Sequence, residues 1–306
     1  MSAAVSITLE ELILMKAEAR GFSLLPRQPV TSLLAGRHAS RLRGRGLTFE
    51  ELRHYHEGDD VRSIDWRATA RLRSPHVRVF SEERERPVLF VVDQRLPMFF
   101  GSRRAMKSVV AAELAALGAW RSLEVGDRVG GLVFNESEVV EIRPHRSRTR
   151  VLRLFHEIVN MNQRLASDQR AEGSVTLNDA LEKALHVATH DYLVVLISDL
   201  DGADAETRRL STLISARNDM LVAAVYDPLG ATLSGAPGML AAYRGDLWEI
   251  PSHAAFTDQF RQAFQDRVDE WQKIFRNLKV PVMPVSTSLP AGPQVLSLLG
   301  HRVRPS

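Results

Sequence analysis

A chain of 306 residues with a formal charge of only +3 has the length of one large domain or two ordinary ones. Its 44% hydrophobic and 25% charged content is that of a globular protein, and so small a positive balance does not announce nucleic acid. No cysteine is present, which excludes disulfides, iron–sulfur clusters, cysteine nucleophiles and cysteine-ligated zinc, and fits a reducing compartment. No segment approaches the roughly 20 consecutive apolar residues that span a bilayer. The start also lacks the basic, apolar and small-residue regions of a signal peptide. These features predict a soluble, cytoplasmic protein without a membrane span.

In chain order, Thr8-Leu-Glu-Glu11 opens a short amphipathic helix over Leu9–Ala19, with a capping threonine and early acids. Gly21 is placed to end it, and Pro26 and Pro29 continue as an extended linker. Residues 36–86 are dense in Arg, Asp and Glu, punctuated by glycines and Pro75, and hold strand-like pieces such as Val77-Arg-Val-Phe80. From Pro87 the pattern alternates. Strands are predicted over Val88–Asp93, Arg128–Phe134, Glu138–Ile142, Tyr192–Ser198, Met220–Tyr226, Leu247–Ile250 and Val280–Val285. Helices are predicted over Ala105–Leu123, Thr149–Gln163, Leu177–Ala188, Asp204–Ala216 and Phe256–Leu278. Such β-α alternation implies an α/β fold with a doubly wound, mainly parallel sheet covered on both faces. A short helix and a small β-rich segment precede it. The resulting division is 1–35 (helix and linker), 36–86 (β-rich segment), 87–285 (the α/β domain) and 286–306 (a tail).

Val88–Asp93 reads as a central strand because its apolar run has no polar interruption before Asp93. Ligands in open α/β sheets sit beyond the carboxyl ends of such strands, where Asp93 stands. The spacing Asp93-x-Arg95-x-Pro97 resembles Asp-x-Ser-x-Ser, the metal-ion adhesion motif of von Willebrand factor A domains, with both hydroxyls replaced. That resemblance implies that Thr176 stands for the threonine of the second loop and Asp199 for the final aspartate. Three of five ligands remain, a set that would hold magnesium only weakly. Arg95 brings a permanent positive charge to the same place, and its guanidinium is expected to pair with Asp93 or Asp199 in the ion's stead. No functional metal and no cofactor is therefore expected.

A second set of residues comprises Gly44-Arg-Gly46, Phe49-Glu-Glu-Leu-Arg53, Tyr55, Gly58-Asp59-Asp60, Arg62, Ile64-Asp65-Trp66, Ala70-Arg71 and Glu82/Glu83. Together they closely resemble the signature of the DUF58 family, whose members lead from this segment into an A-like domain. The resemblance covers roughly residues 36 to 201. It implies a MoxR-type AAA+ ATPase as partner, since family members are typically encoded beside one, and extends to other A-domain proteins. Many members carry two transmembrane helices before the signature, and this chain is similar to the shorter branch.

The residues themselves allow other readings. The mixture of Asp59, Asp60, Arg62, Asp65 and Arg67 suits a salt-bridge network, and Trp66 suits an apolar anchor against the main domain. Folding as a lid is the plain structural reading; a partner surface formed by Arg53, Tyr55, Gly58, Asp59, Asp60, Arg62, Asp65, Trp66 and Arg71 is compatible with it. His54-x-His56 would share one strand face and with Asp59 could hold a divalent metal, but a surface strand accounts for them more simply. Arg41, Arg43 and Arg45 could touch phosphate, yet Glu50, Glu51 and Glu57 follow at once, unlike a nucleic-acid groove of one sign. Phosphate-cradle and nucleophile-elbow motifs are missing. The expected function is a non-enzymatic interaction module, with a metal-dependent hydrolase using Asp93 and Asp199 as the alternative.

Overall fold

The computed structural model describes residues 4–24, 47–56, 61–82, 85–166, 173–229, 240–243, 246–249 and 280–300, and single residues between 258 and 278. Two compact units are present: Met1–Arg27 with Arg86–Ser306, and Gln28–Glu85.

In the larger unit, α1 (Leu9–Leu14) starts at a capping box in which Thr8 and Glu11 satisfy each other's backbone N–H. Leu12 and Phe22 are buried, the Trp120 indole N–H donates to the Leu12 carbonyl at 2.9 Å, and Arg121 Nε donates to the Phe22 carbonyl at 2.8 Å. The described amino-terminal residues are thus built into this unit by their apolar side chains.

The smaller unit pairs β1 (Leu47–His54) antiparallel with β2 (His76–Glu82), and α2 (Trp66–Leu72) lies between them in sequence. Asp65 caps that helix, its carboxylate accepting from the N–H groups of Arg67 at 3.0 Å and Ala68 at 3.1 Å. The Thr69 hydroxyl accepts from the His76 N–H at 3.1 Å and ties the helix to β2. The helix was missed by the sequence reading, which took the segment as strands and turns.

The larger unit carries a six-stranded sheet made of β3 (Pro87–Asp93), β4 (Arg128–Phe134), β5 (Val139–His145), β6 (Leu193–Ser198), β7 (Asp219–Tyr226) and a last strand, Val282–Ser286. A separate hairpin pairs β8 (Leu240–Tyr243) with β9 (Asp246–Glu249), so the last sheet strand is β10. The sheet order is β10-β7-β6-β3-β4-β5, parallel throughout except for the β4–β5 pair. The chain therefore winds outward one way from β3 and then the other way from β6. This is the mainly parallel, doubly wound arrangement, and its switch point lies between β3 and β6.

Alternate residues of β3 explain why the strand has no polar position. Val88, Phe90 and Val92 enter one apolar cluster with α1, α3 (Lys107–Glu124), α4 (Arg148–Ala166) and the carboxyl-terminal helix Ala291–Leu299. Leu89 and Val91 enter the other, with α5 (Leu177–Val187), α6 (Ala205–Ser215), Trp271 and Phe275. Each such large side chain fully withdrawn from water contributes about 1.5–3 kcal/mol. Gly118 lets α3 approach: a Cβ there would lie 2.6 Å from Phe90 Cε1. The expected tail over 286–306 holds the helix Ala291–Leu299, which buries Val295 against the first cluster. Most of the helix predicted over Phe256–Leu278 falls outside the described residues.

The outer strand β10 is blocked over its carboxyl-terminal half on the side away from β7. Pro281 and Thr287 bond to β7, so the residues between them that share their parity face inward and Pro284 and Ser286 face outward. Pro284 has no N–H to offer, and the Gln294 side chain takes both the N–H (2.8 Å) and the carbonyl (2.9 Å) of Ser286. Among the described residues, no helix is long and apolar enough to cross a membrane.

Candidate functional site

Three neighbouring strands, β3, β6 and β7, each end in an aspartate: Asp93, Asp199 and Asp227. All three side chains are buried, and each is satisfied differently.

Asp93 is wholly buried and meets Arg95 in a two-pronged pair, with Arg95 Nε donating to Oδ1 at 3.0 Å and Nη2 to Oδ2 at 2.7 Å. The Arg95 backbone N–H adds a bond to Oδ1 at 3.0 Å, and the Ser198 hydroxyl a bond to Oδ2 at 2.7 Å. Each carboxylate oxygen thus accepts two hydrogen bonds. Arg95 is itself only 7% exposed; its guanidinium lies 5.4 Å from the Phe134 ring centre and donates to the Asp201 carbonyl at 3.1 Å. Burial works against its charge, but Asp93, Asp199 and Asp201 outweigh that, and it holds its proton more tightly than an ordinary arginine.

Asp199 is salt-bridged through Oδ2 to the Lys107 ammonium at the start of α3, while Oδ1 accepts from the Asp201 N–H at 3.0 Å. The turn that follows is strained, because Leu200 is a buried non-glycine residue at φ 57°. Its N–H is held by the Ser198 hydroxyl at 2.9 Å. Asp227 uses no cation. Its carboxylate accepts from the Ser102 hydroxyl (2.6 Å) and N–H (2.8 Å), from the Leu229 N–H (2.9 Å) and from the Thr287 hydroxyl. Burial pushes this carboxyl up, but the hydrogen bonds from Ser102 and Thr287 prevail and hold it below the usual carboxylate range.

Of the five adhesion-type positions, the structure brings Asp93, Arg95 and Asp199 to the switch point. Pro97 lies in the helical turn Leu96–Met98, whose Met98 sulfur accepts from the Asp199 N–H at 3.2 Å. Thr176 caps α5: its hydroxyl and N–H both donate to Asp179 at 2.7 Å, and its bonds hold the Asp179 carboxyl below the usual range. The residues present do not fit a divalent ion, because the Asp93 oxygens are filled by Arg95 and Ser198 and Asp199 is matched by Lys107. Among the described residues, no group of three or more His, Asp or Glu is arranged to hold a metal.

Sequence reasoning missed Lys107, Ser198, Asp227 and the buried chain behind the site. In that chain Gln94 donates to the Ser108 carbonyl, Asn162 to Gln94, and the Ile7 N–H to Asn162, each at 3.0 Å. Asp227 and Gln94 were visible as polar residues following apolar strands. Lys107 gave no signal, since its partner lies 92 positions away.

In the smaller unit, Arg53 Nη1 donates to the His54 carbonyl at 3.1 Å, and the Tyr55 N–H donates to Pro75 at 2.9 Å. Gly58, Asp59 and Asp60 lie outside the described residues. Arg62 is exposed in the helical turn Val61–Ser63, Asp65 caps α2, and Arg71 is exposed on it. Trp66, expected as an anchor, is 69% exposed. His54 lies against His76, ring centres 4.3 Å apart, and His56 falls beyond the end of β1.

Comparison with known proteins places these residues in one family. The chain is 28% identical over 275 residues to an uncharacterized protein of Mycobacterium bovis and, equally, to uncharacterized proteins of two Mycobacterium tuberculosis strains; the match covers 89% of this chain and 85% of each relative. The model of the family described as "Protein of unknown function DUF58" matches residues 51–273. That span takes in Trp66, Asp93, Arg95, Thr176 and Asp199, and with nearly three quarters of the chain matched, this protein belongs to the DUF58 family.

Proposed function

We propose that this protein is a non-enzymatic interaction module, an adaptor for a MoxR-type AAA+ ATPase, whose carboxyl sheet edge is an A-type adhesion site converted from metal to side-chain cations. The observation that carries the reading is the buried Arg95–Asp93 pair. A guanidinium occupies both carboxylate oxygens where an A domain would present them to an ion, and Lys107 repeats the substitution at Asp199. Two fixed cations give the edge a constant charge and shape that need no metal supply. Among the described residues, the hydroxyls beside the edge aspartates are committed to buried carboxylates: Ser198 to Asp93, with the Leu200 N–H on its oxygen, and Ser102 and Thr287 to Asp227, which already accepts four hydrogen bonds. In this reading the edge and the signature segment serve to hold a partner, without transforming it, in the cytoplasm.

Co-purification of the full chain with a MoxR-type AAA+ ATPase, with and without nucleotide, is the direct test. A stable complex is expected. Absence of association in every nucleotide state removes the partner from the reading. Calorimetric titration with Mg²⁺, Mn²⁺ and Zn²⁺ is expected to give no saturable binding; binding that Asp93→Ala abolishes would restore the hydrolase alternative.

A further inference from the structure

The face of α2 away from β2 carries an indole and two guanidinium groups. Trp66, Arg67, Ala70 and Arg71 are all exposed, and the spacing i, i+1, i+4, i+5 lays them along one stripe of the helix. Among the described residues, neither Arg67 nor Arg71 makes an ion pair. The two stand four apart, where like charges repel, and Arg67 lies in the first turn, where the helix dipole disfavours a cation. A seven-residue helix thus carries one cation that its dipole disfavours, a second in its last turn that repels the first, and an exposed indole.

We propose that this stripe is the docking surface for an acidic protein partner, the Trp66 indole entering an apolar socket while Arg67 and Arg71 grip carboxylates on its rim. The proposal rests on the partner-binding reading above but assigns the contact to the smaller unit. The choice of arginine carries the argument about chemistry. The planar fork of arginine matches a carboxylate in two bonds, and Trp with Arg is the pairing that dominates the centres of protein interfaces. A membrane surface calls for an apolar stripe over several turns, whereas this helix has two turns with Ala70 beside the indole. Single-stranded nucleic acid calls for successive aromatic platforms, and α2 supplies one.

The test is the affinity of a purified MoxR-type AAA+ ATPase for the full chain, compared with Trp66→Ala, the double variant Arg67→Glu/Arg71→Glu, and the charge-conserving Arg67→Lys/Arg71→Lys, with each fold checked by thermal melting. The proposal expects at least a tenfold loss for Trp66→Ala and for charge reversal, and a loss of several fold for the lysine pair, with melting unchanged. Wild-type affinity in the reversed variant overturns the docking surface and leaves the ATPase reading intact. No binding by the wild type overturns both. A fall in melting temperature in Trp66→Ala without loss of affinity shows an internal anchor and overturns the proposal. So does saturable binding to phosphatidylserine vesicles or a single-stranded oligonucleotide that charge reversal abolishes while ATPase binding persists.

Discussion

The carboxyl edge of the main sheet and the exposed face of α2 are both rich in charge, yet they treat it in opposite ways. At the edge, Asp93 meets Arg95, Asp199 meets Lys107, and Asp227 collects four donors without a cation. On α2, Arg67 and Arg71 have no carboxylate among the described residues. A buried charge must be matched where it stands, or the fold loses several kcal/mol; an exposed one is solvated and can await a partner from outside. Charge that is closed on itself therefore serves the architecture, and charge left open is free for the docking proposed above.

The contrast makes the two regions differ most under mutation. Arg95→Ala strands the wholly buried Asp93 and is expected to cost about 3–5 kcal/mol, read as the shift in a urea or guanidinium midpoint. A loss under about 1 kcal/mol would mean that the edge is open to water and its charges are as loosely held as those of α2.

An intermediate effect is expected at the cap of α5. Thr176→Ala removes the hydroxyl bonded to Asp179 and should cost about 1 kcal/mol. Because the folded Asp179 carboxyl titrates below its ordinary value, its contribution is fully present above the usual carboxylate range, near pH 4, and fades as pH falls through the lower folded value. Stability curves of wild type and Thr176→Ala should thus converge on acidification; parallel curves down to pH 2 would refute the linkage.

The smallest effect belongs to α2. Arg67→Ala relieves the repulsion with Arg71 and should leave stability within about 0.5 kcal/mol of wild type, with any change in the stabilising direction. A clear destabilisation in the same denaturant assay would show that Arg67 serves the fold.

Much of the sheet was legible because its strands are apolar on both faces. The run from Val88 to Asp93 admits few other readings, and the predicted Arg128–Phe134 strand is the observed one. That Arg95 would meet a carboxylate at this edge was legible too, but the sequence left Asp93 and Asp199 both open, and the choice of Asp93 is made by the loop geometry. Lys107 was not. It meets Asp199 only through the closure of α3 over the sheet, a tertiary event with no local signature. Thr176 shows the reverse: its cap on Asp179 is written in the spacing Thr-x-x-Asp, while its relation to the other adhesion-type positions is not. The helix α2 was obscured by charge density, although Asp65 followed by Trp-Arg-Ala-Thr-Ala-Arg-Leu is a capped helical start.

The Gln294 side chain on Ser286 has a consequence for assembly. An outermost strand is a template on which another chain can crystallise, and here the template is blank: proline at one outward position, a glutamine amide mimicking a neighbouring backbone at the next. Extension of the sheet by a foreign strand is hindered at these two positions, which favours side-chain contacts there. Such contacts can release as readily as they form, without the near-permanent weld of a shared sheet.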